Sequence, residues 1–136
     1  MLELLNNKNN VIALIGASND KNKYGNKILL DLISKKHKVV PINPKEEIIA
    51  GLKTYKNVSE MSEKPSIINF VVPPNVGLKI TKDLVEGGYD NYWYQPGAES
   101  QEISNYLKSQ NKNYIDDDYF WSRCAANYSH PDEPGH

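Results

Sequence analysis

Apolar residues along this chain follow two alternating rhythms. Runs at Val11-Ile12-Ala13-Leu14-Ile15, Lys38-Val39-Val40-Pro41-Ile42, Ile67-Ile68-Asn69-Phe70-Val71-Val72 and Asn91-Tyr92-Trp93-Tyr94, with a weaker one at Asn113-Tyr114-Ile115, predict five β-strands. The first and third are nearly continuous, as suits strands covered on both faces of a parallel sheet. Between them the period changes. Ile28, Leu29, Leu32 and Ile33 form one helical stripe, and Val76, Ile80, Leu84 and Val85 form a second, opening at Pro73-Pro74 and stopping at Gly87-Gly88. Ile103, Tyr106 and Leu107 mark a third helix over about 99–110. Shorter helices are expected at 58–63 and around Leu2, Leu4 and Leu5.

Strand–helix alternation predicts an α/β fold: a doubly wound, five-stranded parallel sheet with helices on both faces, of Rossmann type. Its simplest order is 3-2-1-4-5. At 136 residues the chain has the length of one domain. The expected division is a lead-in over 1–10, the Rossmann-type domain over 11–124 and a tail over 125–136. Ligands of such sheets bind beyond the carboxyl ends of the strands. Function is therefore expected in the loops after Ile15, Ile42, Val72 and Tyr94.

Composition narrows the classes. A formal charge of −1 gives no general pull toward nucleic acid or an anionic membrane. No apolar run approaches the roughly 20 residues of a spanning helix, and Met1–Asn10 lacks a signal-peptide pattern. A single cysteine, Cys124, fits a reducing compartment. The expectation is a cytoplasmic protein.

The first loop reads Gly16-Ala17-Ser18-Asn19-Asp20-Lys21-Asn22-Lys23-Tyr24-Gly25. It joins a clear strand to a clear helix, the setting that gives a glycine-bearing loop meaning. Gly16 permits a sharp turn, Ala17 and Ser18 let a ligand approach the main chain, and Gly25 lets the helix sit close. The helix start favours a phosphate, to which Ser18 can donate and Lys21 or Lys23 add charge. A tight turn that binds nothing is the alternative, because Gly-x-Gly-x-x-Gly is absent.

In the second loop, an NAD-binding domain would place an acid to hold the ribose hydroxyls. Here Asn43-Pro44-Lys45 stands instead, with no acid before Glu46. Asn43 can hold an adenosine and Lys45 an extra ribose phosphate, such as coenzyme A carries; a proline-stiffened strand end is the alternative. Val72-Pro73-Pro74 offers adenine an apolar surface or simply opens a helix. Gln95, ahead of Pro96-Gly97-Ala98-Glu99-Ser100, can reach a pantetheine or acyl group, or serve only a turn and cap.

Other groups carry weaker signals. Cys124 has no base that sequence places beside it among His37, His130 and His136. No Cys/His cluster has zinc spacing. Asp116-Asp117-Asp118 reads as a solvated strand end, Lys35-Lys36-His37-Lys38 as a solvated turn, and Trp93 and Trp121 as packing or surface aromatics. Exposed aromatics around Trp121 would suit a homodimer.

Taken together, Gly16-Ala17-Ser18 with Tyr24-Gly25, Val40-Pro41-Ile42-Asn43-Pro44, Ile49-Ala50-Gly51 with Tyr55, Val72-Pro73-Pro74, Trp93-Tyr94-Gln95-Pro96-Gly97-Ala98-Glu99-Ser100 and Arg123-Cys124 resemble the small stand-alone CoA-binding domain proteins. That family is similar to the N-terminal CoA-binding domain of the succinyl-CoA synthetase α subunit. The resemblance implies coenzyme A or an acyl-CoA at the strand ends. Gly16, Ala17, Ser18, Lys21 and Tyr24 would then meet the phosphates. Asn43, Pro44, Lys45, Val72, Pro73 and Pro74 would surround the adenosine. The synthetase's phosphohistidine domain has no counterpart in these residues, so ligase chemistry is not expected.

The leading expectation is thus a non-catalytic carrier or sensor for a small nucleotide ligand. An NAD(P)- or other nucleotide-binding redox sensor, a CoA-dependent enzyme using Cys124, and a pure interaction module are the alternatives.

Overall fold

The computed structural model describes residues 2–116. The five expected strands are present as β1 (Val11–Ile15), β2 (Lys38–Ile42), β5 (Ile67–Phe70), β6 (Asn91–Tyr94) and β7 (Asn113–Ile115). Helices α2 (Tyr24–Ser34), α3 (Pro74–Glu86) and α4 (Gln101–Ser109) alternate with them, after a short α1 (Leu2–Asn6). The sheet is wholly parallel. Rossmann-type architecture is therefore what the chain adopts.

Its order is β2-β1-β5-β6-β7, which by core strand is 2-1-3-4-5 rather than the expected 3-2-1-4-5. Burial explains the difference. All four residues of β5 are buried, and β5 pairs with β1 on one side and β6 on the other. Such a strand belongs at the centre. β2 contains Pro41, which has no N–H to donate and so suits an edge. The carbonyl of Pro41 faces outward and accepts from the Tyr55 N–H at 3.2 Å.

The sheet divides the core. Ile12, Leu14, Ile67, Trp93 and Ile115 pack with Leu5 of α1 and with Ile28, Leu29 and Leu32 of α2. Ala13, Ile15, Ile68, Phe70, Tyr92 and Tyr94 pack on the other side with Leu84, Ile103 and Leu107 of α3 and α4. Phe70 and Tyr94 stack there with ring centroids 4.5 Å apart. Trp93 is thus a packing residue.

No α-helix joins β2 to β5. The connection holds a small antiparallel hairpin, β3 (Ile48–Ile49) and β4 (Leu52–Lys53), then a single 3-10 turn, Val58–Glu60, where a helix over 58–63 was expected. The hairpin escapes sequence reading because each strand has two residues. Ala50 and Gly51 turn it with φ of 51° and 78°.

At the opposite end of the sheet, the basic run 35–38 is not a wholly solvated turn. Lys35 pairs with Asp31 one helical turn earlier, and His37 is buried against Lys8, with Nε2 3.0 Å from Nζ. Asp117, Asp118, Trp121, Arg123, Cys124, His130, His136 and the expected tail lie outside the described residues. Within the described residues no helix is long and apolar enough to cross a membrane.

Candidate functional site

The strand order places a switch point between β1 and β5, whose loops part to opposite sides. Gly16 sits there with φ 98°, a left-handed conformation that favours glycine. A Cβ at Gly16 would lie 2.8 Å from Val71 Cγ2 and 2.9 Å from Val72 Cγ1. Two strand ends therefore close on one backbone position.

From Gly16 the chain enters a loop whose polar groups are sorted by direction of bonding. The carbonyl of Ala17 accepts from Asn43 Nδ2 at 2.9 Å, and that of Ser18 accepts from Asn26 Nδ2 at 3.0 Å. The backbone N–H groups of Ser18 and Asn19, by contrast, have no hydrogen-bond partner among the described residues. Further on, the Asp20 N–H donates to Ser18 Oγ at 3.0 Å, and the Lys23 N–H to the Asp20 carbonyl at 3.0 Å. The side chain of the N-cap residue, Lys23, makes no capping hydrogen bond to α2 among the described residues. Carbonyls engaged and amides free is the polarity an anion requires.

Asn43 does more than hold Ala17. Its Oδ1 accepts from the N–H of Lys45 at 2.7 Å and of Glu46 at 3.2 Å, which fixes the turn after β2. The expected adenosine contact is thus a residue that joins two loops. Asn19 ties the first loop to the hairpin, donating to the Ile48 carbonyl at 2.8 Å and accepting from the Ala50 N–H at 3.2 Å.

Beside this loop lies an apolar groove of about 760 Å³. Its floor is Ile15, Gly16 and Ile42, and α3 forms one wall through Val76, Ile80, Asp83 and Leu84. Residues Lys56–Ser59 form the other. The groove opens where the β2–β5 connection has no helix to cover the sheet. A second, polar basin of about 460 Å³ adjoins it, containing Lys45, Lys53 and Lys56 with Glu46, Glu47 and Glu60. Pro44 and Lys56 line both.

The expected residues sort as follows. Gly16, Pro44 and Val72 line the groove, and Lys45 lines the basin. Ala17 and Gly25 are buried in the turn, Ser18 and Tyr24 are half-buried, and Lys21 is exposed. Pro73 precedes α3 and Pro74 opens it, so both stand at the groove's upper end. Gln95 is not in the groove lining. It is 1 % exposed, and its Nε2 donates to Asn69 Oδ1 at 3.1 Å. Asn69 Nδ2 has no hydrogen-bond partner among the described residues.

Sequence reasoning missed Asn26, Asn19, the wall at 56–59 and Asp83. Asn26 left one signal, a carboxamide between Gly25 and the apolar stripe of α2. The wall left none, because it depends on how the connection crosses the sheet.

Tyr94, on the same face, has its phenol pushed up by burial and bonded to Thr81 Oγ1 at 2.6 Å. Among the described residues, no three His, Cys, Asp or Glu side chains gather as a metal site.

Comparison with known proteins gives these features a family. A conserved hypothetical protein from Pyrococcus furiosus superposes with a TM-score of 0.75 and 48 % identity, covering 79 % of this chain and 92 % of that one. An ADP-forming acetate–CoA ligase of Methanocaldococcus jannaschii is 35 % identical over 77 residues, which are 57 % of this chain and 11 % of the ligase. The α subunit of ADP-forming acetate–CoA ligase II of P. furiosus is 37 % identical over 78 residues, 57 % of this chain and 16 % of that subunit. The chain therefore spans a small part of the length of the curated relatives it matches. The sequence model of the CoA binding domain family matches residues 10–119, and the chain belongs to that family.

Proposed function

We propose that this protein binds coenzyme A or an acyl-CoA and serves as a carrier or sensor of it. The observation that carries this reading is the sorted loop: Ala17 and Ser18 carbonyls engaged by Asn43 and Asn26, and Ser18 and Asn19 amides free. Those amides and the start of α2 receive the ligand's diphosphate. Lys21 and Tyr24 flank it. The adenosine lies toward Asn43, Pro44 and Val72-Pro73-Pro74, with Lys45 available to the ribose phosphate. The names of the curated relatives, both CoA ligases, support the choice of ligand. A binding role is favoured over turnover because, among the described residues that line the groove, no acid and base are hydrogen-bonded to one another.

The test is to denature purified protein and identify any released nucleotide by mass. Thermal-shift titrations with CoA, acetyl-CoA, NAD, NADH and ATP accompany it, since a ligand that binds the native state raises apparent stability. A shift with CoA species and none with NAD or NADH is expected. Absence of any shift at millimolar CoA overturns the reading. Ser18→Asp places a carboxylate against the diphosphate and is expected to abolish the CoA shift while the unliganded melting temperature stays within a few degrees.

A further inference from the structure

The groove extends well below the loop. From Pro74 to Asp83, α3 rises about 14 Å at 1.5 Å per residue. Val76, Ile80 and Leu84 line that length, and Val58 faces them from the 3-10 turn. A slot with such walls accepts a flat aromatic ring rather than a chain of hydroxyls.

Polar side chains line the slot at Lys56, Asn57, Ser59, Asp83 and Tyr89, and Lys64 Nζ lies 5.2 Å from the centroid of the Tyr89 ring. Lys56 lines the polar basin as well, so it belongs to the shared boundary beside Pro44. Asn57 and Ser59 bond to one another, and Asn57 Nδ2 also donates to Glu60 at 2.8 Å. Asp83 differs. It lies about 14 Å along α3 from Pro74, and its exposed carboxylate has no ion pair or side-chain hydrogen bond among the described residues. An ionised carboxylate only accepts hydrogen bonds, so its complement is a ring that presents N–H groups.

We infer that Asp83 is the base-selecting residue of the groove, accepting a hydrogen bond from the exocyclic amine of a 6-aminopurine. The inference rests on the proposed binding of a CoA nucleotide and adds to it the group that reads the base. With the diphosphate at Ser18 and Asn19 and the ribose beside Pro44 and Val72, the base extends down the groove between Ile80 and Val58, its amino edge toward Asp83. An Asp83 hydrogen bond of this charged kind discriminates by about tenfold against a purine without the amine.

Binding is measured for ADP, GDP and purine riboside 5′-diphosphate, which lacks the 6-amino group, alongside CoA. Wild type is expected to bind ADP about tenfold more tightly than the unsubstituted purine. Asp83→Ala, on an exposed helix position that tolerates alanine, should remove that difference by weakening ADP and CoA while leaving the unsubstituted purine unchanged. Equal wild-type affinity for the two purines, or an Asp83→Ala variant that keeps their difference, overturns the inference while leaving CoA binding intact. Failure of every nucleotide, CoA included, overturns the proposed function instead. Tighter binding of GDP than ADP assigns Asp83 to the paired N–H groups of guanine, and overturns both.

Discussion

Gly25 packs so closely on Gly16 that a Cβ at Gly25 would lie 2.0 Å from the Gly16 carbonyl oxygen. The amino end of α2 therefore rests directly on the turn that leaves β1. Alanine at position 25 would gain about 1 kcal/mol of helix propensity. The clash is the larger effect, because backbone rather than a flexible side-chain end must move. Gly25→Ala is expected to lower unfolding free energy by about 1–3 kcal/mol in denaturant titrations and to weaken CoA binding. A variant as stable as wild type would show that the two backbones are not in contact.

The two asparagine braces predict a different pattern. Asn43→Asp keeps acceptance from Lys45 and Glu46 but turns an oxygen toward the Ala17 carbonyl in place of Nδ2. The lost bond and the repulsion are expected to reduce CoA affinity more than tenfold at pH 7.5. Protonation restores a donor, so affinity should partly recover as pH falls toward 5. Calorimetric titration at the two pH values, beside wild type, checks this. A pH-independent deficit would remove Asn43 from the role of loop brace.

Asn26→Leu offers a separate check, since it removes the donor to the Ser18 carbonyl without adding charge. Asn26 is 7 % exposed, so leucine can fill its place while the carbonyl loses its partner. A stability loss of about 1–3 kcal/mol is expected from the unsatisfied group. CoA affinity should fall while binding of pantetheine, which has no diphosphate, stays the same. Equal losses for both ligands would mean that Asn26 supports the fold alone.

The five core strands and their helices were legible because continuous apolar runs and helical stripes state what each segment must bury. Their order was less so. Pro41 marks β2 as an edge, and the unbroken apolar β5 asks for a central place, but the two must be weighed together. Gly16, Pro44 and Val72 were legible through their loops as residues that line the groove. Asp83 and the wall at 56–59 were not, because nothing local records that the β2–β5 connection lacks a helix. Gln95 stood out in a conspicuous turn, yet its amide is engaged with Asn69 beneath the surface.

His37 lies at the opposite end of the sheet from the Gly16 loop and makes stability depend on pH. Burial, with the ammonium of Lys8 close by, lowers its pKa from 6.5 to about 4; Asp31 opposes this shift and Lys35 adds to it. Above pH 6.5 the imidazole is neutral in both folded and unfolded chains, and the group contributes no pH dependence. Between 6.5 and 4 the unfolded chain binds a proton that the folded one does not, so stability falls as pH falls. Below about 4 both states are protonated and the loss levels off. A shift of this size corresponds to at most about 3 kcal/mol. His37→Gln keeps an acceptor for Lys8 and cannot be protonated. Carboxylates such as Asp90, whose pKa is lowered by its hydrogen bond from Lys112, contribute to the slope of both proteins alike. Unfolding free energy measured from pH 7 to pH 4 is therefore expected to fall more steeply in wild type than in His37→Gln. Parallel curves would show that His37 is protonated as readily in the folded chain as in the unfolded one.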